Sequence, residues 1–214
     1  MNIFNRLARS VLGAATLVLA LSACAPLVIG GAVGGALLAN DRRTSGAQLE
    51  DQGIELRAAN RLREQLGERG NVSVTSYNRV ALITGEVPTE ADKAAVEKTV
   101  AAVDNVRSVV NELAVLGATS LSQRSSDALV TGRVKASMVD ARDVSASAFK
   151  VVTARGTVYL MGRVTQREAT RATDIARNTP GVQRVVRVLE VITEEELARL
   201  QPQPAPVKDA KPAK

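Results

Sequence analysis

Two stretches of the chain alternate apolar and polar positions with period two. Val80 to Val87 reads VALITGEV and sets Ala81, Ile83, Gly85 and Val87 on one side. Thr157 to Val164 reads TVYLMGRV and does the same with Val158, Leu160, Gly162 and Val164. Strict alternation of this kind predicts a strand with one buried face. The matched glycines lie 77 residues apart. A second series, Val106, Val109, Val110, Leu113 and Val115, returns as Val182, Val185, Val186, Leu189 and Val191 at an offset of 76. Such spacing means two copies of one unit, with a single-residue indel inside each.

Each copy yields the same elements. A first helix is expected from about Gln48 to Leu66 and again from Ser126 to Val139. A strand at Val72–Ser76, and its counterpart at Phe149–Thr153, turns tightly into the glycine-bearing strand. A second helix covers about Glu90–Val103 and Gln166–Asn178, with Thr89 and Thr165 placed to cap the orphan N–H groups. A last strand lies near Val109–Val115 and Val185–Ile192. The order αββαβ joins an antiparallel hairpin to a parallel, right-handed crossover. The predicted fold class is α+β: two tandem units, each a small mixed three-stranded sheet packed by two helices.

Outside the repeat the pattern changes. Arg6 and Arg9 precede an apolar run from Val11 to Leu21, and small residues then lead to Cys24, the only cysteine. That is the layout of a secretory signal peptide spanning residues 1–23. A lone cysteine in an exported chain has no intramolecular partner, which leaves a free thiol, an intermolecular bridge or a covalent modification. Pro26 to Ala39 is apolar and glycine-rich but too short to span a bilayer, which needs about 20 residues. Residues 24–46 are therefore expected to form a tether whose charges at Asn40-Asp41-Arg42-Arg43 mark the exit into water. The first unit is expected at 47–116, a linker at 117–125 and the second unit at 126–193. Residues 194–214 should begin as a short helix, with Glu194, Glu195 and Glu196 in its first turn, and end as a disordered Pro, Ala and Lys tail.

Composition narrows the chemistry. There are two Phe, two Tyr and no Trp, so the cores must be built from Val, Leu, Ile and Ala. Histidine is absent, which excludes Ser-His-Asp and Cys-His catalysis and removes the commonest metal ligand. No catalytic residue, metal site or cofactor is expected. Scarce stacking aromatics and export also argue against nucleic acid.

At these residues a resemblance becomes specific. Leu21-Ser22-Ala23-Cys24 resembles the lipobox of bacterial lipoproteins, which implies acylation at Cys24, and Ala25 in the next position implies the outer membrane. The duplicated αββαβ order, the V-x-L-x-G-x-V strand and the later V-x-x-V-V strand resemble BON domains, and behind a lipobox the pair is similar to the dual-BON outer-membrane lipoprotein family of the DolP type. The resemblance covers about Thr44 to Thr193 plus the signal. It implies a periplasm-facing lipoprotein, held by its acyl chains, that binds anionic phospholipid such as phosphatidylglycerol or cardiolipin through its second unit and supports membrane integrity. Gly85 and Gly162 match the family glycine and are read as structural.

Charge bears on this independently. Residues 47–116 carry 8 Lys+Arg against 11 Asp+Glu, whereas residues 126–193 carry 11 against 6. A basic surface beside an anionic leaflet gains about 1 kcal/mol per well-placed cation. On the first helix of the second unit, Val130, Val134 and Met138 are expected to face the sheet. A neighbouring stripe of Leu129, Gly132, Arg133, Ala136 and Val139, with Lys135 and Arg142 nearby, is the candidate phospholipid-binding surface. The competing expectations are that this stripe packs on the first unit, that acidic and basic copies pair with each other, or that the chain is a scaffold for envelope proteins.

Overall fold

The computed structural model describes residues 41–200, apart from 68, 118 and 119. The signal peptide, Cys24, the tether up to residue 40 and the tail beyond 200 lie outside the described residues. Helix α1 spans Ser45–Leu66, followed by β1 (Asn71–Tyr77), β2 (Val80–Val87), α2 (Glu90–Ala101) and β3 (Ser108–Val115). The second unit repeats the order as α3 (Leu121–Asp140), β4 (Phe149–Ala154), β5 (Thr157–Thr165), α4 (Gln166–Arg177) and β6 (Arg184–Ile192), and α5 (Glu194–Leu200) follows. In each unit the glycine-bearing strand is central, antiparallel to the strand before it and parallel to the strand after the crossover.

The repeated apolar positions build the two helix-covered cores. Ile54, Ala58 and Leu62 of α1 with Val96 and Val100 of α2 close over Ala81, Ile83 and Val87. Val130, Val134 and Met138 of α3 with Ala172 and Ala176 of α4 close over Val158, Leu160 and Val164. Thr89 and Thr165 accept the expected capping bonds from Asp92 and Glu168 N–H, and Glu168 returns a bond to Thr165 N–H to complete a capping box. A Cβ at Gly85 or Gly162 would collide with the carbonyl oxygen across the hairpin, that of Asn71 or of Ala148, and Gly85 also holds φ +119.

The expectation of one buried face per sheet is corrected. Leu82, Tyr159 and Met161, together with Tyr77, form a third buried cluster with half-buried Val110, Val186 and Val188. The two sheets thus meet through the faces turned away from their own helices, giving the order helices, sheet, sheet, helices. Each large apolar side chain buried this way contributes about 1.5–3 kcal/mol. Around this seam the acidic and basic copies do pair. Lys150 Nζ reaches Glu55 at 2.7 Å and the Ser76 carbonyl at 3.1 Å, Arg184 reaches Glu112 at 2.7 Å, and Glu190 accepts from Asn78 at 2.7 Å and Arg107 at 3.2 Å.

Both hairpin turns use a device absent from the hydrophobic pattern. Asn78 and Arg79, and likewise Arg155 and Gly156, hold left-handed φ values of 48°, 68°, 53° and 71°, as the favoured two-residue hairpins require. An aspartate on the preceding helix compensates the strain at the non-glycine positions. Asp51 accepts from Asn78 N and Arg79 N, each at 2.8 Å, and from the Ser76 hydroxyl at 2.7 Å. Asp127, 76 residues later, accepts from Arg155 N at 2.8 Å and Gly156 N at 2.9 Å. Burial opposes the charge on Asp51, but the donors from Arg79, Ser76, Arg43 and Asn78 outweigh it and hold its carboxyl below the usual range.

Three segment boundaries differ from expectation. Helix α3 begins at Leu121 because the Ser120 hydroxyl caps Gln123 N–H, so much of the supposed linker 117–125 is helical. Helix α1 begins at Ser45, capped by Thr44, ahead of the expected Gln48. The charges at 41–43 do not mark an exit into water. Arg42 makes a two-pronged ion pair with Glu168 of the second unit, both bonds 2.7 Å, and donates to the Arg163 carbonyl, and these side chains are only 9% and 5% exposed. Arg43 pairs with Asp41 and Asp51 and lies over the Tyr77 ring at 4.3 Å.

Candidate membrane-contact site

Helix α3 buries one stripe and presents the rest. With Val130, Val134 and Met138 seated on the sheet, 3.6-residue periodicity sends Leu121, Ala128, Leu129, Gly132, Ala136 and Val139 to the opposite side. All six are exposed, and Leu121, Leu129 and Val139 are 78%, 61% and 65% accessible. Packing of the proposed stripe against the first unit is thereby corrected. The seven candidate residues, Leu129, Gly132, Arg133, Lys135, Ala136, Val139 and Arg142, are all exposed.

The cations flank this strip instead of interrupting it. By helical position Lys135 stands on one side with Arg124, and Arg133 on the other. Arg133 leans onto the loop after α4, donating to the Pro180 carbonyl at 3.4 Å. Among the described residues neither Lys135 nor Arg124 has a side-chain partner. Arg142 lies past the end of α3 in a left-handed turn, φ 53°, beside the Asp143–Arg171 pair. Asp140 is the exposed carboxylate on this face.

Leu121 and Arg124 were missed because the helix start was placed five residues late, whereas Ala128 lay within the expected helix and was left out of its stripe. The missing signal was Ser120-Leu121-Ser122-Gln123, an S-x-x-Q helix-start pattern. The equivalent face of α1 is different: Leu49 and Leu56 are exposed, but Gln52, Asn60 and Glu64 are exposed around them.

Comparison with known proteins fits this architecture. The BON domain family matches residues 51–117 and 126–193, one match per αββαβ unit. The outer membrane lipoprotein DolP of Haemophilus influenzae is 37% identical over 175 residues, covering 80% of this chain and 90% of that protein. The chain belongs to the dual-BON family of the DolP type. As a member of that family it is an outer-membrane lipoprotein. A second relative, the 21 kDa hemolysin of Actinobacillus pleuropneumoniae, is 30% identical over 154 residues, 71% of this chain and 79% of that one. Among solved structures, CdsD, a structural protein of the type III secretion system of Chlamydia trachomatis, is 13% identical with a TM-score of 0.29, covering 72% of this chain and 96% of that one.

Proposed function

We propose that this DolP-type lipoprotein is acylated at Cys24, faces the periplasm, and binds anionic phospholipid through the outer face of α3, supporting the integrity of the outer membrane. The observation that carries the reading is the exposed strip from Leu121 to Val139, apolar or small at each outward position and flanked by Arg124, Lys135 and Arg133. An interfacial helix combines these features: alkyl surface to enter the headgroup layer and cations at its border to meet phosphate. Burying Leu129 and Val139 would contribute about 1.5–3 kcal/mol each, and each bordering cation about 1 kcal/mol. Binding of that strength is weak once the cost of association is subtracted, and it gains from an acyl anchor that keeps the helix at the surface.

The test is co-sedimentation of the mature chain carrying Cys24→Ser, which removes the acyl chains. Vesicles of phosphatidylcholine alone are compared with vesicles containing phosphatidylglycerol or cardiolipin, at low and moderate salt. Binding should be confined to anionic vesicles and weaken with salt. Leu129→Glu should reduce it about tenfold or more, with the melting temperature unchanged. A second reading, a scaffold for envelope proteins, draws on the exposed Leu49 and Leu56 of α1. Absence of binding to every vesicle would move that reading to first place.

A further inference from the structure

The flank of α3 that carries Arg124 and Ala128 borders a groove of mixed lining between the two units. Two adjoining hollows of about 510 and 270 Å3 share Asn71, Glu86 and Arg124. The smaller is walled on one side by Ser73 and Thr84 of the first sheet, on the other by Thr131 and Arg155 of the second unit. The repeat explains why it is open. At the offsets of 76 and 77, Thr131 corresponds to Glu55 and Ser73 to Lys150. Where Glu55 and Lys150 meet, their 2.7 Å ion pair closes the seam. Where Thr131 and Ser73 stand, no ion pair takes its place and a hollow remains.

The cations lining the smaller hollow belong to the second copy, and Arg69 of the first copy, at the larger one, is paired with Asp92. Arg124 corresponds to Gln48 and Arg155 to Asn78. Asn78 is engaged with Glu190, whereas the guanidinium groups of Arg124 and Arg155 make no hydrogen bond or ion pair among the described residues. Two carboxylates share the groove. Both are engaged: Asp127 by Gln123 and the hairpin amides, and Glu86, which is buried, by Asn71 Nδ2 at 3.2 Å among its partners. Two guanidinium groups and several hydroxyls suit a singly charged phosphodiester bearing hydroxyl groups. The anion meets arginine, and the headgroup hydroxyls exchange hydrogen bonds with the Ser73 and Thr131 hydroxyls. The smaller hollow is below the usual range of about 300–1,000 Å3 for whole small-molecule sites, so it fits a headgroup and not a complete lipid.

We infer that this groove receives the glycerol phosphate headgroup of a phospholipid whose acyl chains lie beside α3. The inference rests on the membrane reading above and adds to it a headgroup subsite formed by both units. In that subsite the apolar strip sets how tightly the protein holds a surface, and the groove sets which lipid it prefers.

The mature Cys24→Ser chain is first titrated with soluble glycerophosphoglycerol and, separately, with inorganic phosphate, following backbone amides by NMR. It is then assayed on phosphatidylcholine vesicles containing equal fractions of phosphatidylglycerol or phosphatidylserine. The expected result is amide shifts at Ser73, Thr84, Thr131 and Thr153 with glycerophosphoglycerol and not with phosphate, and a preference for phosphatidylglycerol of about tenfold. Arg124→Ala and Arg155→Ala should each erase most of that preference. Leu129→Glu should weaken binding to both vesicles and leave the ratio intact. Equal binding of the two lipids by the wild type, or a preference that survives both arginine substitutions, overturns the lipid subsite. Amide shifts without a lipid preference would assign the groove to a free glycerol phosphodiester instead. Binding unaffected by Leu129→Glu, with the preference still dependent on the arginines, would count against the α3 strip and leave the groove standing.

Discussion

The two BON units share their internal chemistry and differ where they meet solvent. Both place a glycine where a carbonyl from the segment across the hairpin leaves no room for a Cβ, and both aim a buried aspartate from the first helix at the amides of the hairpin turn. Outside, α1 carries two separated leucines among polar residues, whereas α3 carries a strip of apolar and small residues, Ser125 among them, with cations at its borders. Duplication kept what folds the unit and released what faces outward. The second copy became the basic one.

The shared features should show the largest effects when broken. Gly85→Val combines a backbone collision with a side chain at φ +119, and Gly162→Val meets the collision alone. Strain of this kind costs about 1–3 kcal/mol and overpacking a similar amount or more, so Gly85→Val should lose about 4 kcal/mol or more and Gly162→Val somewhat less, measured by urea unfolding. A soluble, fully stable Gly162→Val would break the equivalence of the two hairpins.

The aspartates sharpen the comparison next. Asp51 serves two amides, the Ser76 hydroxyl and Arg43, while Asp127 serves two amides and Gln123. Alanine leaves buried donors unpaired, at about 1–3 kcal/mol for each group left unsatisfied. Asp51→Ala should therefore lose about 3 kcal/mol and Asp127→Ala about 2. Equal losses would mean that Arg43 and Ser76 add nothing.

Arg42 joins the segment before α1 to the second unit. Arg42→Ala strands the Glu168 carboxylate, and breaking a deeply buried pair costs about 3–5 kcal/mol. Glu168 still accepts from Thr165 N–H, so a loss of about 2 kcal/mol is expected. The pH dependence follows from the same pair. Burial opposes ionisation of Glu168, but Arg42 and the Thr165 N–H outweigh it and lower its pKa from 4.5. A carboxylate lowered on folding stabilises above its unfolded value, and that contribution is lost as pH falls through the folded one. Asp51 acts in the same direction from 3.8. Thermal melts should hold steady above about pH 5 and decline below about 4.5. Arg42→Ala should flatten part of that decline.

Much of this fold was legible in the alternation of two strands, because helix-facing positions such as Ile83 and Leu160 recur with the repeat. The second buried face was not. Its positions mix Leu82, Tyr159 and Met161 with Thr84, Glu86 and Arg163, and such a mixture reads as a solvated face until another sheet lies against it. Asp51 and Asp127 resembled ordinary surface charges on a helix, since nothing local shows that a turn 27 to 29 residues away points its amides at them. Arg42 and Arg43 looked solvated for the same reason: their partners are remote or need the tertiary fold. The outward stripe of α3 was readable from helical spacing once Val130, Val134 and Met138 were assigned to the core. Only its beginning, at Leu121, was lost with the helix start.

The central claim is that one copy's outer helix meets lipid and the other's does not. In the mature chain carrying Cys24→Ser, single Leu129→Cys and Leu56→Cys variants are labelled with an environment-sensitive fluorophore and mixed with vesicles containing phosphatidylglycerol. The account predicts a blue-shifted, quencher-protected signal at position 129 and an aqueous signal at position 56. Protection at position 56 with an aqueous signal at position 129 would contradict it.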